Sequence, residues 1–409
     1  MPTLAIDFGT SNSAAAVLEG GAPRRIALEA GADTLPTAVF FPADGGRMLI
    51  GTEAAAALIE GEDGRYMRAL KSVLGTSLLH EARPFGGKRR TLAEVVTGFV
   101  AEVKARAEAA TGQRFARALS GRPVHFHSDD PARDAQAECD LHACYLAAGF
   151  EAVEFRFEPE AAALTAVGLA RDGKLGLVVD IGGGTSDFSV FRVTGGQVEI
   201  VASHGIRLGG TDFDQALSLA EAMPLLGLGG QLTRTLGEGL LPVPKAIYVD
   251  LATWAKIPFL YSRDTERTVE DLVRHAVEPE KLRRLETTIR ERHGHALAFA
   301  VEAGKIGANG GARAGIDMGM IAPGLSHPVT PGALAAALAP FRDVLRGALY
   351  ATLMQAGTAP AGIGTVVLVG GSSLMGMIGE VVSEVCPGAR QARAQAFTAV
   401  VDGLALASA

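Results

Sequence analysis

Two copies of one short pattern constrain the fold of this chain most strongly. Near the N-terminus, the apolar residues 4–6 lead into Asp7, which is followed by Phe-Gly-Thr-Ser-Asn-Ser. Farther along, the apolar residues 175–179 lead into Asp180, which is followed by Ile-Gly-Gly-Gly-Thr-Ser-Asp. In each copy a predicted buried strand ends at an acidic residue, and glycine and small hydroxyl residues follow it. This duplication predicts an α/β protein with two lobes that face a cleft.

Two further glycine pairs follow the same logic. A predicted strand at 366–369 runs directly into Gly370, Gly371 and Ser372. Gly209 and Gly210 precede Thr-Asp-Phe-Asp, which predicts a helix start with Thr211 as its N-cap. The chain therefore presents four glycine turns, three of them at the ends of predicted strands.

Helical periodicity separates these strands. Apolar residues recur at helical spacing in several segments, and 268–300 is expected to be two helices that break near Pro279. The predicted helices are 92–110, 132–148, the two within 268–300, 340–355 and 374–385.

Composition excludes several classes of protein. Among 409 residues, 38 Lys and Arg against 45 Asp and Glu give a net charge of −7, which argues against binding nucleic acid by bulk attraction. Three cysteines are too few for a disulfide framework. The first residues lack the basic start of a signal peptide, and no continuous apolar span predicts a membrane helix. We expect a cytoplasmic protein with no nucleic-acid or membrane partner.

The repeated pattern suits a nucleoside triphosphate. Glycines let backbone N–H groups approach phosphate oxygens closely, and Thr10, Ser11 and Thr185 add hydroxyl donors. The strand-end carboxylates Asp7 and Asp180 suit a hydrated Mg²⁺, which keeps most of its waters. We therefore expect ATP with Mg²⁺ to lie between the lobes.

Several segments of the chain resemble the motifs of a known family. The segments 7–13, 158–164, 180–187, 208–214 and 366–373, in this order, are similar to motifs of the heat shock protein 70 (DnaK-type) ATPase domain. That domain has the two-lobed, actin-like (hexokinase-like) fold, a duplicated ribonuclease H-like architecture with a nucleotide cleft between the lobes. The resemblance extends over residues 4–405, and the segment 223–230 looks closer to the YegD-like branch.

The resemblance implies roles for individual residues. Lys71, Glu158, Asp180 and Thr185 match the catalytic positions, and Asp7, Asp180 and Asp187 match cation sites that bind Mg²⁺ mostly through water, with K⁺ left open as a second cation. The implied ATP or ADP site comprises Asp7, Gly9, Thr10, Ser11, Asn12, Gly182, Gly183, Gly184, Thr185, Gly209, Gly210, Glu302, Lys305, Asn309, Gly370, Gly371 and Ser372.

The resemblance also implies an organisation and an activity. Lobe I would comprise residues 1–166 and 394–409, and lobe II residues 167–393 with an outer subdomain near 215–305. We expect slow ATP hydrolysis that drives a conformational switch. No segment resembles the family's peptide-binding domain, so another protein (a client, co-chaperone or exchange factor) is expected to read the switch.

Departures from the family pattern keep alternatives open. Leu374 replaces an arginine that stacks on adenine in the family, and Asn309 stands where a serine is usual. A nucleotide sensor or scaffold without hydrolysis, a small-molecule kinase of the same superfold and an actin-like filament protein remain as alternatives. Each uses the same fold, which does not by itself determine function.

Histidines form two alternating pairs. His125 and His127 are expected on one strand, and His293 and His295 repeat the spacing. A metal site would need further ligands of suitable type, and no convergent set is evident. We interpret these side chains as hydrogen-bonded histidines of the core or its rim.

Overall fold

The computed structural model describes residues 2–127, 130–165, 174–195, 197–234, 237–311, 313–393 and 398–409. Two compact units are present: Met1–Arg207 with Leu345–Ala409, and Leu208–Val344. The predicted lobe boundaries at 166 and 394 lie outside the described residues and stay a prediction.

The two largest sheets of the first unit share one plan. The strands of the first sheet are β1 (Thr3–Phe8), β2 (Asn12–Glu19), β3 (Ala22–Ile26), β4 (Leu35–Pro36), β10 (Arg117–Arg122) and β11 (Ala152–Phe157). The strands of the second are β12 (Leu175–Ile181), β13 (Ser186–Thr194), β14 (Gln197–Ile206), β19 (Ile363–Val369) and β20 (Arg390–Arg393). Their orders are β11-β10-β1-β2-β3, with β4 paired to β2, and β14-β13-β12-β19-β20.

The strand directions repeat as well as the order. In each sheet the strand that carries the acid begins an antiparallel meander of three strands, β1–β2–β3 or β12–β13–β14. Its other edge pairs in parallel with β10 or β19, which in turn pairs in parallel with β11 or β20. The repeated sequence pattern therefore lies at equivalent positions of two equivalent sheets.

Two helices share a core with both sheets. They are α4 (Glu158–Leu164) and α12 (Ala399–Ala407), and small residues let them approach closely. A Cβ on Gly403 would overlap the backbone oxygen of Ala161, so only glycine fits at this crossing. The same core contains residues of both sheets, among them Ala5 of β1 and Val178 of β12. This packing holds the first residue of α4, Glu158, at the edge of the shared core.

A second core lies against the other face of the first sheet. It contains α2 (Leu92–Thr111) and α3 (Pro131–Ala147), whose apolar residues pack with Leu4, Ile6 and Phe8. Thr91 and Glu94 form a capping box at the start of α2.

The other elements of this unit are β5 (Ala38–Pro42), β6 (Leu49–Ile50), α1 (Thr52–Ile59), β7 (Gly64–Arg68), β8 (Arg83–Phe85), β9 (Lys88–Arg90) and α11 (Gly376–Val385). Short 3₁₀ turns lie at Leu70–Val73, Ser77–His80, Pro360–Gly362 and Gly371–Leu374.

The second unit is mainly helical. Its elements are α5 (Gly210–Leu217), β15 (Gln231–Thr233), β16 (Leu240–Pro242), α6 (Ala246–Leu251), α7 (Arg263–His275), α8 (Pro279–Arg290), α9 (Gly294–Asn309), β17 (Ala314–Asp317) and β18 (Ser326–Val329), with a π turn at Ser218–Ala222 and 3₁₀ turns at Met223–Leu226 and Trp254–Leu260. The helix α10 (Pro331–Gln355) begins in this unit and ends in the first.

Several local predictions need correction. The segment 268–300 belongs to three helices rather than two, and α8 and α9 are separated by Arg292 in the left-handed region, at φ 56°. The helix predicted at 340–355 begins nine residues earlier, at Pro331, and contains Pro340. Buried Leu334 and Leu338 continue the apolar face upstream, and this packing outweighs the lost hydrogen bond.

The predicted cap and the histidine strand are also wrong. Gly209, not Thr211, is the N-cap of α5, and its N–H donates to the Asp212 side chain at 2.8 Å. His125 and His127 lie outside any strand, and His295 lies in α9. No helix among the described residues is both long and apolar enough to cross a membrane.

Candidate functional site

The tips of two glycine-rich hairpins meet in the first unit. The β1–β2 turn carries Ser11, and the β12–β13 turn carries Gly183. A Cβ on Gly183 would overlap the Ser11 Oγ, and a Cβ on Gly9 would overlap the Asn12 backbone oxygen. Gly182 N–H donates to the Thr185 backbone oxygen at 2.9 Å and closes the second turn. The glycines of both hairpins are thus required by tight turns and by the close approach of the two loops.

Three carboxylates surround this junction. Asp180 and Asp187 are directly opposite each other across β12 and β13, so their side chains share one face of the sheet. Asp7 is the next-to-last residue of β1, and all three are partly buried. Like charges directly opposite one another destabilise a strand pair unless another group compensates them.

A buried ion pair lies beside these acids, and its ammonium compensates only part of their charge. The Lys71 ammonium donates to the Glu158 carboxylate, although the two residues are 87 positions apart. The side chain of Lys71 is 8% exposed and that of Glu158 is 15% exposed. Lys71 lies in the 3₁₀ turn Leu70–Val73, and Glu158 is the first residue of α4. Both partners are therefore positioned by the backbone.

Burial and mutual repulsion perturb the acids. Burial, with the Glu158 charge, raises the pKa of Asp7 to about 7 against an attraction to Lys71. The same causes raise the pKa of Asp187 to about 7, and burial raises that of Asp180 well above its ordinary value. Burial lowers the pKa of Lys71, but the charges of Glu158, Asp7 and Asp180 outweigh it and the pKa is raised. One ammonium thus faces four carboxylates, an imbalance that favours a bound cation.

The donor set fits a hard, hydrated cation. Carboxylate oxygens are the protein ligands that Mg²⁺ prefers, and Mg²⁺ retains several waters. Among the described residues no three His, Cys, Asp or Glu side chains converge closely enough to bind a metal ion directly. Asp7, Asp180 and Asp187 are the residues that could hold a hydrated Mg²⁺ ion here.

The third glycine turn lies beside Asp180. Val369 of β19 is paired with Asp180, and Gly370 follows in the left-handed region, at φ 80°. A Cβ there would overlap the backbone oxygen of Ile181. Gly371 and Ser372 continue into the 3₁₀ turn that ends at Leu374, whose side chain is 39% exposed.

The remaining hydroxyl and amide residues line the same two turns. Thr10 and Asn12 are partly buried, and Thr185 is exposed. Gly184 has open space where a side chain would lie, with no heavy atom within 4 Å of a built Cβ. An open face with exposed donors is the arrangement that an anionic group can approach.

Two of the predicted residues of the second unit, Lys305 and Gly210, lie close together. The Lys305 ammonium lies 2.7 Å from Asp214 Oδ1 and 3.5 Å from the Gly210 backbone oxygen, and both side chains are buried. Glu302 and Asn309 are partly buried on the same helix, α9. Asp214, the partner of Lys305, is not among the predicted site residues, although it lies within the segment Thr-Asp-Phe-Asp that follows the glycine pair.

Two histidines have local structural partners. The His127 ring Nε2 lies 2.8 Å from the Leu74 backbone oxygen, and His295 packs against Trp254 with ring centroids 5.3 Å apart.

A cavity of about 210 Å³ in the first unit is lined by Thr3, Val17 and Gln113 among others, and by none of the five charged residues of the hairpin junction.

Part of the chain matches a known protein family. Residues 81–221 match the family model described as Hsp70 protein. The match contains Glu158, Asp180, Asp187 and the Gly209–Gly210 pair, whereas Asp7 and Lys71 precede it. It confirms the resemblance, and the duplicated mixed sheets agree with the predicted actin-like α/β fold. The assignment to the YegD-like branch stays a prediction.

Proposed function

We propose that this chain, whose residues 81–221 match the Hsp70 family model, binds Mg-ATP and hydrolyses it slowly in the cytoplasm. Hydrolysis would drive a conformational switch read by a protein partner: a client, a co-chaperone or an exchange factor. The observation that carries this proposal is the junction of two glycine hairpins, where Asp7, Asp180 and Asp187 surround the Lys71–Glu158 pair.

Each charged residue has a distinct role in this proposal. Lys71 would neutralise charge on the terminal phosphate and on the attacking water, because a buried ammonium stabilises negative charge strongly. Glu158 would orient that water, because its carboxylate is fixed at the start of α4 and can accept a hydrogen bond from the water. Thr185 would donate its hydroxyl to a phosphate oxygen from the exposed edge of the second turn.

The acids would hold the cation rather than the nucleotide. A triphosphate and four carboxylates repel one another, so ATP alone is a poor ligand for this site. Mg²⁺ held by Asp7, Asp180 and Asp187 would neutralise charge on the bound phosphates. A second cation such as K⁺ would occupy the same acidic surroundings.

The charge imbalance yields a test with opposite signs. Replacement Asp187→Asn at about pH 8.5, above the pKa of about 7 of Asp187, removes one negative charge and one ligand for the waters of Mg²⁺. With Mg²⁺ present, ATP affinity should fall about tenfold, whereas in EDTA the affinity for free ATP should rise, because repulsion is smaller. Isothermal titration calorimetry under both conditions measures each effect.

The control is Asp33→Asn, an exposed acid paired with Arg25. It should leave both affinities unchanged. Equal ATP affinities for wild type and Asp187→Asn in both buffers would contradict the proposed site.

One departure supports a second candidate. Leu374 is partly exposed at the third turn, where the family has a base-stacking arginine, and this favours a nucleotide sensor with weak base selectivity. A sensor would bind Mg-ATP without turnover. A kinase of the same superfold would instead transfer phosphate to an added small-molecule acceptor and release little free phosphate.

A further inference from the structure

The backbone turn that carries Lys71 is unusual at both ends. Ala69 precedes it in the left-handed region, at φ 58°, although it is not glycine. Gly75 follows it, also left-handed, at φ 72°. A left-handed residue other than glycine costs free energy and persists only where surrounding contacts hold it. Something must therefore fix the segment 69–75.

A single peptide unit of this segment is held at both of its polar ends. The Leu74 carbonyl accepts a hydrogen bond from His127 Nε2 at 2.8 Å. The N–H of the same peptide, that of Gly75, donates to Asp140 Oδ2 at 2.9 Å. Because a carbonyl can only accept, His127 must carry its proton on Nε2. This peptide can neither rotate nor shift without breaking two hydrogen bonds.

Asp140 is well built for this contact. It lies on α3, its side chain is 4% exposed, and its other oxygen accepts from Gln136 Nε2 at 2.8 Å. The exposed His80 approaches the same oxygen with Nε2 at 3.2 Å. A buried carboxylate with several donors is fixed in one orientation.

Helix α3 also supports the histidine and excludes side chains at the turn. Asp134 Oδ1 accepts from the His127 N–H at 3.1 Å. A Cβ on Gly75 would overlap the backbone oxygen of Arg133, so the turn packs directly on the helix. The contacts to the Leu74–Gly75 peptide thus connect the turn that carries Lys71 to helix α3.

We propose that Asp140 and His127 are positioning residues that fix the Lys71 turn and so direct its ammonium to Glu158. The proposal rests on the proposed function only for its effect on ATP hydrolysis. A lysine side chain is long and flexible, and its ammonium is placed accurately only if its backbone is. Displacement of a reacting group by about 1 Å can cost roughly a hundredfold in rate.

The direct test is amide hydrogen exchange of residues 70–76, measured by mass spectrometry without nucleotide. Asp140→Ala should accelerate exchange of this segment at least tenfold, and His127→Ala should act similarly from the carbonyl side. Asp140→Asn keeps one oxygen for the Gly75 N–H and should restore most of the protection. The control is Asp130→Ala, which removes the N-cap of the same helix and leaves both hydrogen bonds to the Leu74–Gly75 peptide in place.

The outcomes separate a positioning role from a general effect on α3. Slower exchange in Asp130→Ala than in Asp140→Ala supports the proposal. Exchange in Asp140→Ala equal to that of wild type or of Asp130→Ala would overturn it, as would an Asp140→Asn variant that behaves like Asp140→Ala. If Asp140→Ala does not fold, His127→Ala decides.

Kinetics provide the second test. In single-turnover hydrolysis, Asp140→Ala should lower the rate at least tenfold while its affinity for Mg-ATP stays within threefold of wild type. An unchanged rate in an active wild-type background overturns the proposal. Wild-type protein that hydrolyses no ATP refutes the proposed activity instead, and hydrogen exchange alone then decides whether the turn is held as described.

Discussion

Replacement of Gly184 separates the folding role of the glycine turns from their binding role. This residue lies in the β12–β13 turn beside Gly183, but its surroundings differ. A Cβ on Gly183 would overlap Ser11, whereas a Cβ on Gly184 meets no heavy atom within 4 Å. We therefore expect the added methyl group of Gly184→Ala to cost the apo protein almost nothing.

The magnitudes follow from these contacts. With no atom to displace, Gly184→Ala should change the free energy of unfolding by no more than about 0.5 kcal/mol, the range of neutral surface substitutions. A methyl group on the open face would keep a phosphate oxygen from a backbone N–H. A charge-assisted hydrogen bond contributes roughly 1.5–3 kcal/mol, so Mg-ATP affinity should fall by about 10- to 150-fold.

Two assays measure the two quantities. Urea unfolding of the apo protein gives the stability, and calorimetric titration with Mg-ATP gives the affinity. Gly388→Ala is the matched control, because Gly388 also has open space around a built Cβ but lies in the turn between α11 and β20. It should change neither quantity.

Two results would refute this reasoning. If Gly184→Ala binds Mg-ATP as tightly as wild type, the open face of the second turn does not receive phosphate. If instead Gly184→Ala is less stable than Gly388→Ala by more than about 1 kcal/mol, the turn itself requires glycine at this position.

Further predictions concern packing and pH. Gly403→Ala should lower the free energy of unfolding by about 1–3 kcal/mol, because its methyl group would overlap the Ala161 backbone oxygen. Gly347→Ala on α10 should instead stabilise the protein by up to about 1 kcal/mol. Urea unfolding of both variants measures the two changes, and equal changes would contradict this prediction. The apo protein should lose stability as the pH rises from about 4 to 7. Over this range Asp7 and Asp187, whose folded pKa values of about 7 exceed the ordinary value of 3.8, keep protons that the unfolded chain has released. The slope has an upper limit of about 1.4 kcal/mol per pH unit for each group. Urea titrations at several pH values should show a shallower slope in the Asp7→Asn/Asp187→Asn double variant, and an unchanged slope would contradict this assignment.

The two sheets could be predicted because buried strands have a local signal. The runs that end at Asp7 and Asp180 are apolar, short and followed by glycine, and the structure places strands there within one or two residues. Since both copies carry the same order of signals, equivalent positions in two sheets followed directly. The strand before Gly370 was found in the same way.

Local rules failed where packing or backbone contacts took precedence. Thr211 is a good N-cap residue by type, but α5 begins two residues earlier, with Gly209 as its N-cap. Pro340 looked like a helix start, yet α10 passes through it because buried leucines continue on both sides. Propensity is a weak prior against such long-range packing.

The charged site was only partly visible in the sequence. Asp7, Asp180 and Asp187 belong to motifs, so their chemistry could be read from neighbouring residues. The Lys71–Glu158 pair joins residues 87 positions apart, and the two roles came from the family resemblance rather than from spacing. No sequence signal pointed to Asp140, because a helical aspartate is usually a solvated surface residue.

The most direct test of the central claim is single-turnover hydrolysis of Mg-ATP by wild type and by Lys71→Met. The control is Lys104→Met, since Lys104 also pairs with a glutamate, Glu108, at 2.6 Å. Thermal unfolding of each variant must first show a folded protein, because breaking a buried ion pair costs about 3–5 kcal/mol.

The account predicts slow turnover by wild type and by Lys104→Met. It predicts that Lys71→Met still binds Mg-ATP but hydrolyses it at least a hundredfold more slowly, the order of effect of removing a preorganised charge from a transition state. Hydrolysis by Lys71→Met at the wild-type rate, or no hydrolysis by wild type, would contradict the account.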